Sequence, residues 1–142
     1  MNNRELMDFA EIHRFGVSFV CAQMTNEGYK IISINKDFSK NPQIIAKKDD
    51  SFSFVLVRTQ VYPKKGKIRN DALIHALMAY GNKHRAVCYF AGIELSNPKA
   101  KNEKQKGRLV KGSSFDVDYD GLWVISPPDN IKVFHDVIIN GN

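Results

Sequence analysis

The sequence predicts a mixed α/β domain, one sheet flanked by helices, with elements in the order α-β-β-β-α-β-β. Three observations carry that prediction. Apolar residues recur at steps of three and four near the start of the chain and again around residues 70–82, the period of helices with one buried stripe. Short runs rich in β-branched and aromatic residues lie between and after them, as strands require. Two of those runs are separated by the pair Asp49-Asp50, which reads as a hairpin turn. At 142 residues the chain suits a single domain with one core, 1–142.

The elements follow in order. Residues 4–27 read as a helix with the stripe Leu6, Phe9, Ile12, Phe15, Phe19 and Ala22, stopped by Gly28. Residues 29–34 are a first strand, 42–48 a second and 52–60 a third. Pro63 and Gly66 mark a loop. Asn70 can cap a second helix over 70–82, with Leu73, Leu77 and Tyr80 on its apolar face and Gly81-Asn82 at its end. Residues 86–95 are a fourth strand, 97–112 a Lys-rich loop insertion, and 115–125 a fifth strand ended by Pro127-Pro128. The alternation across 131–139 favours one more short strand.

Composition excludes some function classes. With 43% apolar and 25% charged residues the chain is an ordinary globular sequence. No apolar run approaches the roughly 20 residues of a membrane span. The opening Met1 to Leu6 is too polar for a signal peptide, so the expectation is a cytoplasmic protein. Cys21 and Cys88 are isolated in apolar segments and read as buried free thiols. His13, His75, His84 and His135 show no metal-ligand spacing. The net charge of +6 favours a polyanion partner.

The most informative stretch is Asn41 to Ala46 followed by Phe54 to Thr59. A two-residue turn at Asp49-Asp50 pairs residue 48 with 51, and counting outward pairs Gln43 with Leu56. Arg58 shares their face at period two. This frame resembles the PD-(D/E)xK nuclease superfamily, in particular small bacterial endonuclease-like proteins and archaeal Holliday-junction resolvases. There a Pro-Asp opens one strand and a Glu-x-Lys sits in an apolar run on the next. The resemblance spans roughly residues 10–125 and implies a restriction-endonuclease-like fold. It also implies a metal site in which carboxylates from adjacent strands converge on one Mg²⁺.

The ionic residues of that signature are missing. Gln43 replaces the Asp, Leu56 the Glu and Arg58 the Lys, and Gly16-Val17 replaces a Gly-Glu of the first helix. No carboxylate remains at Val17, Gln43 or Leu56, and Arg58 stays protonated and is no base. No catalytic residue, metal or cofactor is therefore expected. Asp49 and Asp50 sit at the far end of the hairpin and Glu11 nearly two turns before Val17, which leaves Glu94 and Asp71 as migrated acids to test.

Two readings of the altered pocket stand. In one, Leu56 and Val17 fill it while Arg58 and Gln60 point to solvent. In the other, His13 and Arg14 share a helix face with Val17 and join Gln43, Arg58 and Gln60 in a cationic anion or phosphate site. Two basic clusters flank the frame: Lys64, Lys65, Lys67 and Arg69, and then Lys99, Lys101, Lys104, Lys106, Arg108 and Lys111 with Glu103 as the one acid among them. Tyr62, at the edge of the first cluster, is a stacking candidate. The calcium-loop-like Asp116-Val117-Asp118-Tyr119-Asp120-Gly121 lacks an acid at its twelfth position, which is Pro127, and reads as a strand with Phe115, Val117 and Tyr119 inward.

The expected function is a catalytically defective nuclease-like domain that binds DNA or RNA through non-specific phosphate contacts. The alternative is a protein-interaction or oligomerisation module on the same scaffold, such as a homodimer. A divergent active metal-dependent endonuclease is the third reading.

Overall fold

The computed structural model describes residues 5–64 and 71–125. Among them the elements are α1 (Phe9–Asn26), β1 (Lys30–Ile34), β2 (Ile44–Lys48), β3 (Ser51–Val61), α2 (Asp71–Lys83), β4 (Ala86–Ser96), α3 (Glu103–Lys106), β5 (Asp116–Tyr119) and β6 (Trp123–Val124). The predicted mixed α/β class and element order hold, with one six-stranded mixed sheet flanked by helices. The predicted caps at Asn70 and Pro127-Pro128 and the strand at 131–139 lie outside the described residues.

The sheet order is β1-β2-β3-β4-β5, and β6 also pairs with β4. β1, β2 and β3 form an antiparallel meander, β3 and β4 are parallel, and β5 and β6 run antiparallel to β4. The parallel step demands a crossover, which α2 supplies. The hairpin register is the predicted one: Lys48 faces Ser51 and Ile44 faces Val55. Asp49 takes the left-handed conformation that a tight two-residue turn needs.

Each helix seals one face of the sheet. Val17, Val20 and Met24 of α1 pack on Ile44, Ala46, Val55, Val57 and Ile93. Ile74, Leu77 and Met78 of α2 pack on Phe54, Leu56, Cys88 and Phe90. Strand alternation explains this division: odd positions of β3 face α1, and even ones face α2.

Several expectations need correction. The first helix starts at Phe9, not at residue 4, because Asp8 and Glu11 form a reciprocal capping box. Leu6 instead bridges to Val110. The deepest face of α1 is His13, Gly16, Val17, Val20 and Met24, and the predicted stripe lies beside it, with Phe9 59% exposed. A period of 3.6 leaves that rotation open, and Gly16 sets it: a Cβ there would lie 1.7 Å from Thr59 Oγ1, so only glycine lets α1 approach β3 so closely.

Gly81 lies inside α2 rather than ending it, and its missing Cβ makes room for Cys88 Sγ. The fifth strand is broken into β5 and β6. Tyr119 faces Ile93 while Trp123 faces Phe90, so three residues (120–122) lie between these pairs on one side and two (91–92) on the other, an irregularity centred on Gly121 with φ +91°. The 97–112 insertion contains the helical turn α3. Cys88 is buried as expected, whereas Cys21 is only half-buried.

Candidate anion site and basic surface

β3 runs on to Val61, but β2 begins only at Ile44. Beyond Val55 the β2-facing side of β3 therefore has no partner strand, and its backbone groups need other partners. Gln43 and Arg58 provide them. The Gln43 backbone N–H donates to Val55 O at 3.0 Å, and its side-chain Oε1 accepts the Val57 N–H at 2.8 Å. Arg58 Nη1 donates to Val57 O at 2.9 Å. Both polar groups of Val57 are thus satisfied by side chains standing in for a strand.

Gln43 is wholly committed to this task. It is 0% exposed, and its Nε2 donates to Asn41 Oδ1 at 2.7 Å and Lys40 O at 3.2 Å. It lies one residue before β2, and its side chain serves Val57 rather than facing Leu56.

Leu56 and Val17 do not meet. Leu56 packs under α2 and Val17 under α1, on opposite faces of the sheet. The picture of one pocket filled by both side chains is therefore replaced by two separate cores.

Arg58 does not point to solvent: it is 9% exposed. Alternation puts its Cβ on the Leu56 side, but the guanidinium turns toward the end of β2. There Nη2 reaches Asn41 Oδ1 at 3.4 Å and the guanidinium carbon lies 4.0 Å from the centre of the Phe38 ring. No carboxylate of the described residues is within ion-pair distance of it. Burial lowers its pKa to about 10, so it remains charged at neutral pH.

His13 lies across Phe38 from this cation. Its ring meets Phe38 edge-on at 5.4 Å and stacks on Phe9 at 6.4 Å. It is 1% exposed, and neither ring nitrogen has a hydrogen-bond partner among the described residues. Burial, then the Arg58 charge, hold the imidazole below its ordinary pKa, while Asp37 acts in the other direction. His13 and Arg14 both line a hollow of about 510 Å³ with Phe9, Ala10, Lys36, Asp37 and Phe38. Arg14 and Gln60 are exposed. Phe38 carried no periodic or motif signal in the sequence; a lone aromatic in the polar stretch 35–41 was the available hint.

The Lys-rich insertion is a docked structure. Met7 N–H donates to Leu109 O, Lys111 N–H to Glu5 O, and Asn97 N–H to Lys106 O, each at 2.9 Å. Tyr62 O–H donates to the Glu103 carboxylate, and Lys106 pairs with Glu103 at 2.7 Å while lying over the Tyr62 ring. One face of Tyr62 is thus taken by a cation rather than left open for a base. Lys111 is paired with Glu5 and Glu11. Lys99, Lys101, Lys104 and Arg108 are exposed and form no ion pair with the described residues. Lys64, also exposed, follows Tyr62, which joins the two basic clusters; Lys65, Lys67 and Arg69 lie outside the described residues.

Of the acids weighed as migrated ligands, Glu11 is spent on the α1 cap and Lys111, and Glu94 stands in register opposite Gln60 and Asp118. Among the described residues no three His, Cys, Asp or Glu side chains come together as a metal site. No described helix is long and apolar enough to cross a membrane.

No curated protein matches the chain. Residues 10–125, the span from the first turn of α1 to the end of β6, match the model of a domain of unknown function, DUF8840, and the chain belongs to that family.

Proposed function

We propose that this protein is a catalytically inert, nuclease-like domain that binds nucleic acid through its phosphates. The observation that carries the reading is the set of four exposed cations, Lys99, Lys101, Lys104 and Arg108, which form no ion pair with the described residues and are held on an ordered insertion. The element order α-β-β-β-α-β and the strand register suit the PD-(D/E)xK frame that the sequence resembles. The positions where that frame needs acids hold Val17, Gln43 and Leu56, each 0% exposed and engaged in core packing or ladder bonds. Mg²⁺ requires charged or water oxygens, which these side chains do not offer.

A binding titration against duplex, branched and single-stranded DNA and RNA tests the reading. Four phosphate contacts on B-DNA give a slope of log affinity against log salt of about −3.6, or roughly a hundredfold loss between about 50 and about 200 mM. Replacing Lys99, Lys101, Lys104 and Arg108 with Ala flattens that slope. No binding to any nucleic acid at the lower salt removes the reading and favours an interaction module. Cleavage with Mg²⁺ or Mn²⁺ that a chelator stops replaces it with an active nuclease.

A further inference from the structure

Phe38 occupies the place of a ligand. Its ring covers the Arg58 guanidinium at 4.0 Å and touches the His13 ring, yet the residue is 41% exposed on the 35–42 loop. The same ring lines the hollow between α1 and that loop. It is the wall between the hollow and Arg58.

Behind this wall stand two polar groups that the fold leaves short of partners. A guanidinium carries five N–H donors, and Arg58 uses two, one of them on a long contact. No carboxylate of the described residues lies beside it, and it is nine-tenths buried. His13 is enclosed, and neither ring nitrogen has a hydrogen-bond partner among the described residues. A buried cation without a counter-ion and a buried imidazole without a hydrogen bond are both unfavourable on their own, and one anion placed between them relieves both.

We infer that Phe38 is a movable stopper over a binding site for a terminal phosphate monoester, held by Arg58 and His13. Charge selects the monoester: it carries about −1.5 to −2 near pH 7, enough to balance Arg58 and to draw a proton onto His13, which burial and then Arg58 keep neutral in the empty site, where an internal diester carries a single charge. The fork of Arg58 suits two phosphate oxygens at once. Access favours an end as well. The approach runs from the hollow, and behind Arg58 lie the Val57 backbone and the Gln43 amide, so a strand has no path through. Arg14 and Lys36 at the mouth attract the anion. Asp37, whose carboxylate is tied to the Ser39 N–H and hydroxyl, faces His13 from the same loop and steadies its protonated form.

The phosphate has two sources, a nucleic-acid strand end or a free nucleotide, and the strand end alone rests on the nucleic-acid reading. Three single-stranded oligonucleotides of one sequence, with a 5′-phosphate, a 3′-phosphate or neither, are titrated against the full chain, beside inorganic phosphate and AMP. His13 ring resonances are followed by NMR throughout. A terminal phosphate tightens binding by about tenfold, the scale of a charge-assisted bidentate contact. Inorganic phosphate moves the His13 resonances and raises its pKa. Arg58→Met abolishes the preference while weaker, salt-sensitive binding survives. Phe38→Ala, at an exposed loop position, removes the stopper and tightens phosphate binding, which keeps the test open if the Arg58 variant does not fold. Response to AMP and phosphate with no oligonucleotide bound makes the free nucleotide the ligand and removes the nucleic-acid reading alone. Equal binding of the three oligonucleotides with His13 unmoved overturns the site and leaves that reading standing. No response to any of the five overturns both.

Discussion

Leu56 and Arg58 stand two residues apart on β3 and are both buried, yet the fold holds them in opposite ways. Leu56 is 0% exposed and packs in the apolar cluster beneath α2. Arg58 is 9% exposed and keeps its charge with no carboxylate of the described residues to balance it. The boundary between the two regions is the start of β2. On the hairpin side of Ile44 the ladder is complete and both faces are sealed; beyond it the backbone depends on Gln43 and Arg58 side chains. The difference shows that Leu56 is absorbed into packing and Gln43 into ladder bonds, whereas Arg58 keeps a charge that no carboxylate of the described residues balances.

Breaking the sealed side has the largest effect. Leu56→Ala costs about 3 kcal/mol, through lost transfer energy and the cavity left under α2, read as a shift in denaturant midpoint with the slope unchanged. Gln43→Ala comes next. It strands the Val57 N–H in a buried position and costs about 2 kcal/mol, with faster amide exchange at Val57 as its signature. Arg58→Met sharpens the contrast because two effects oppose each other. Removing the buried charge stabilises, while the Val57 C=O loses its donor, so the net change stays within about 1 kcal/mol of zero although the side chain is nearly as buried as Leu56.

The smallest effect is a pH dependence. The folded-state pKa of His13 is lowered, first by burial and then by Arg58. Below the unfolded value of 6.5 the unfolded chain therefore binds more protons. The stability that neutral His13 permits is full above 6.5 and declines as pH falls through its folded pKa. Thermal melts between about pH 7.5 and 5 show this decline, and His13→Phe flattens it.

The fold was legible where periodicity and turn chemistry agree. Asp49-Asp50 between two apolar runs sets the hairpin register, and the alternation of Phe115, Val117 and Tyr119 survives as contacts of Phe115 with Phe15 and Tyr119 with Phe19. Which face of the first helix lies deepest was not legible, since it depends on Gly16 meeting Thr59, a contact 43 residues apart in sequence. The site was legible in its cations and not in its geometry. Spacing along β3 places Arg58 on the Leu56 side, but the guanidinium answers to a tertiary fact, the late start of β2, and turns toward Asn41 and Phe38. Val17 and Leu56, read from the sequence as lining one pocket, are parted by the thickness of the sheet.

The anchoring of the 97–112 insertion has a thermodynamic consequence. A basic tail without structure surrenders conformational freedom each time it engages a polyanion, and that loss offsets part of the electrostatic gain. Here Leu6, Met7 and Glu5 fasten one end of the insertion and Tyr62 fastens its helical turn, so the ordering takes place once, during folding. Lys99, Lys101, Lys104 and Arg108 then stand at set separations. On the proposed nucleic-acid reading, such a surface measures its partner as well as attracting it: a rigid duplex either matches those separations or does not, while a single strand must give up its own freedom to fit.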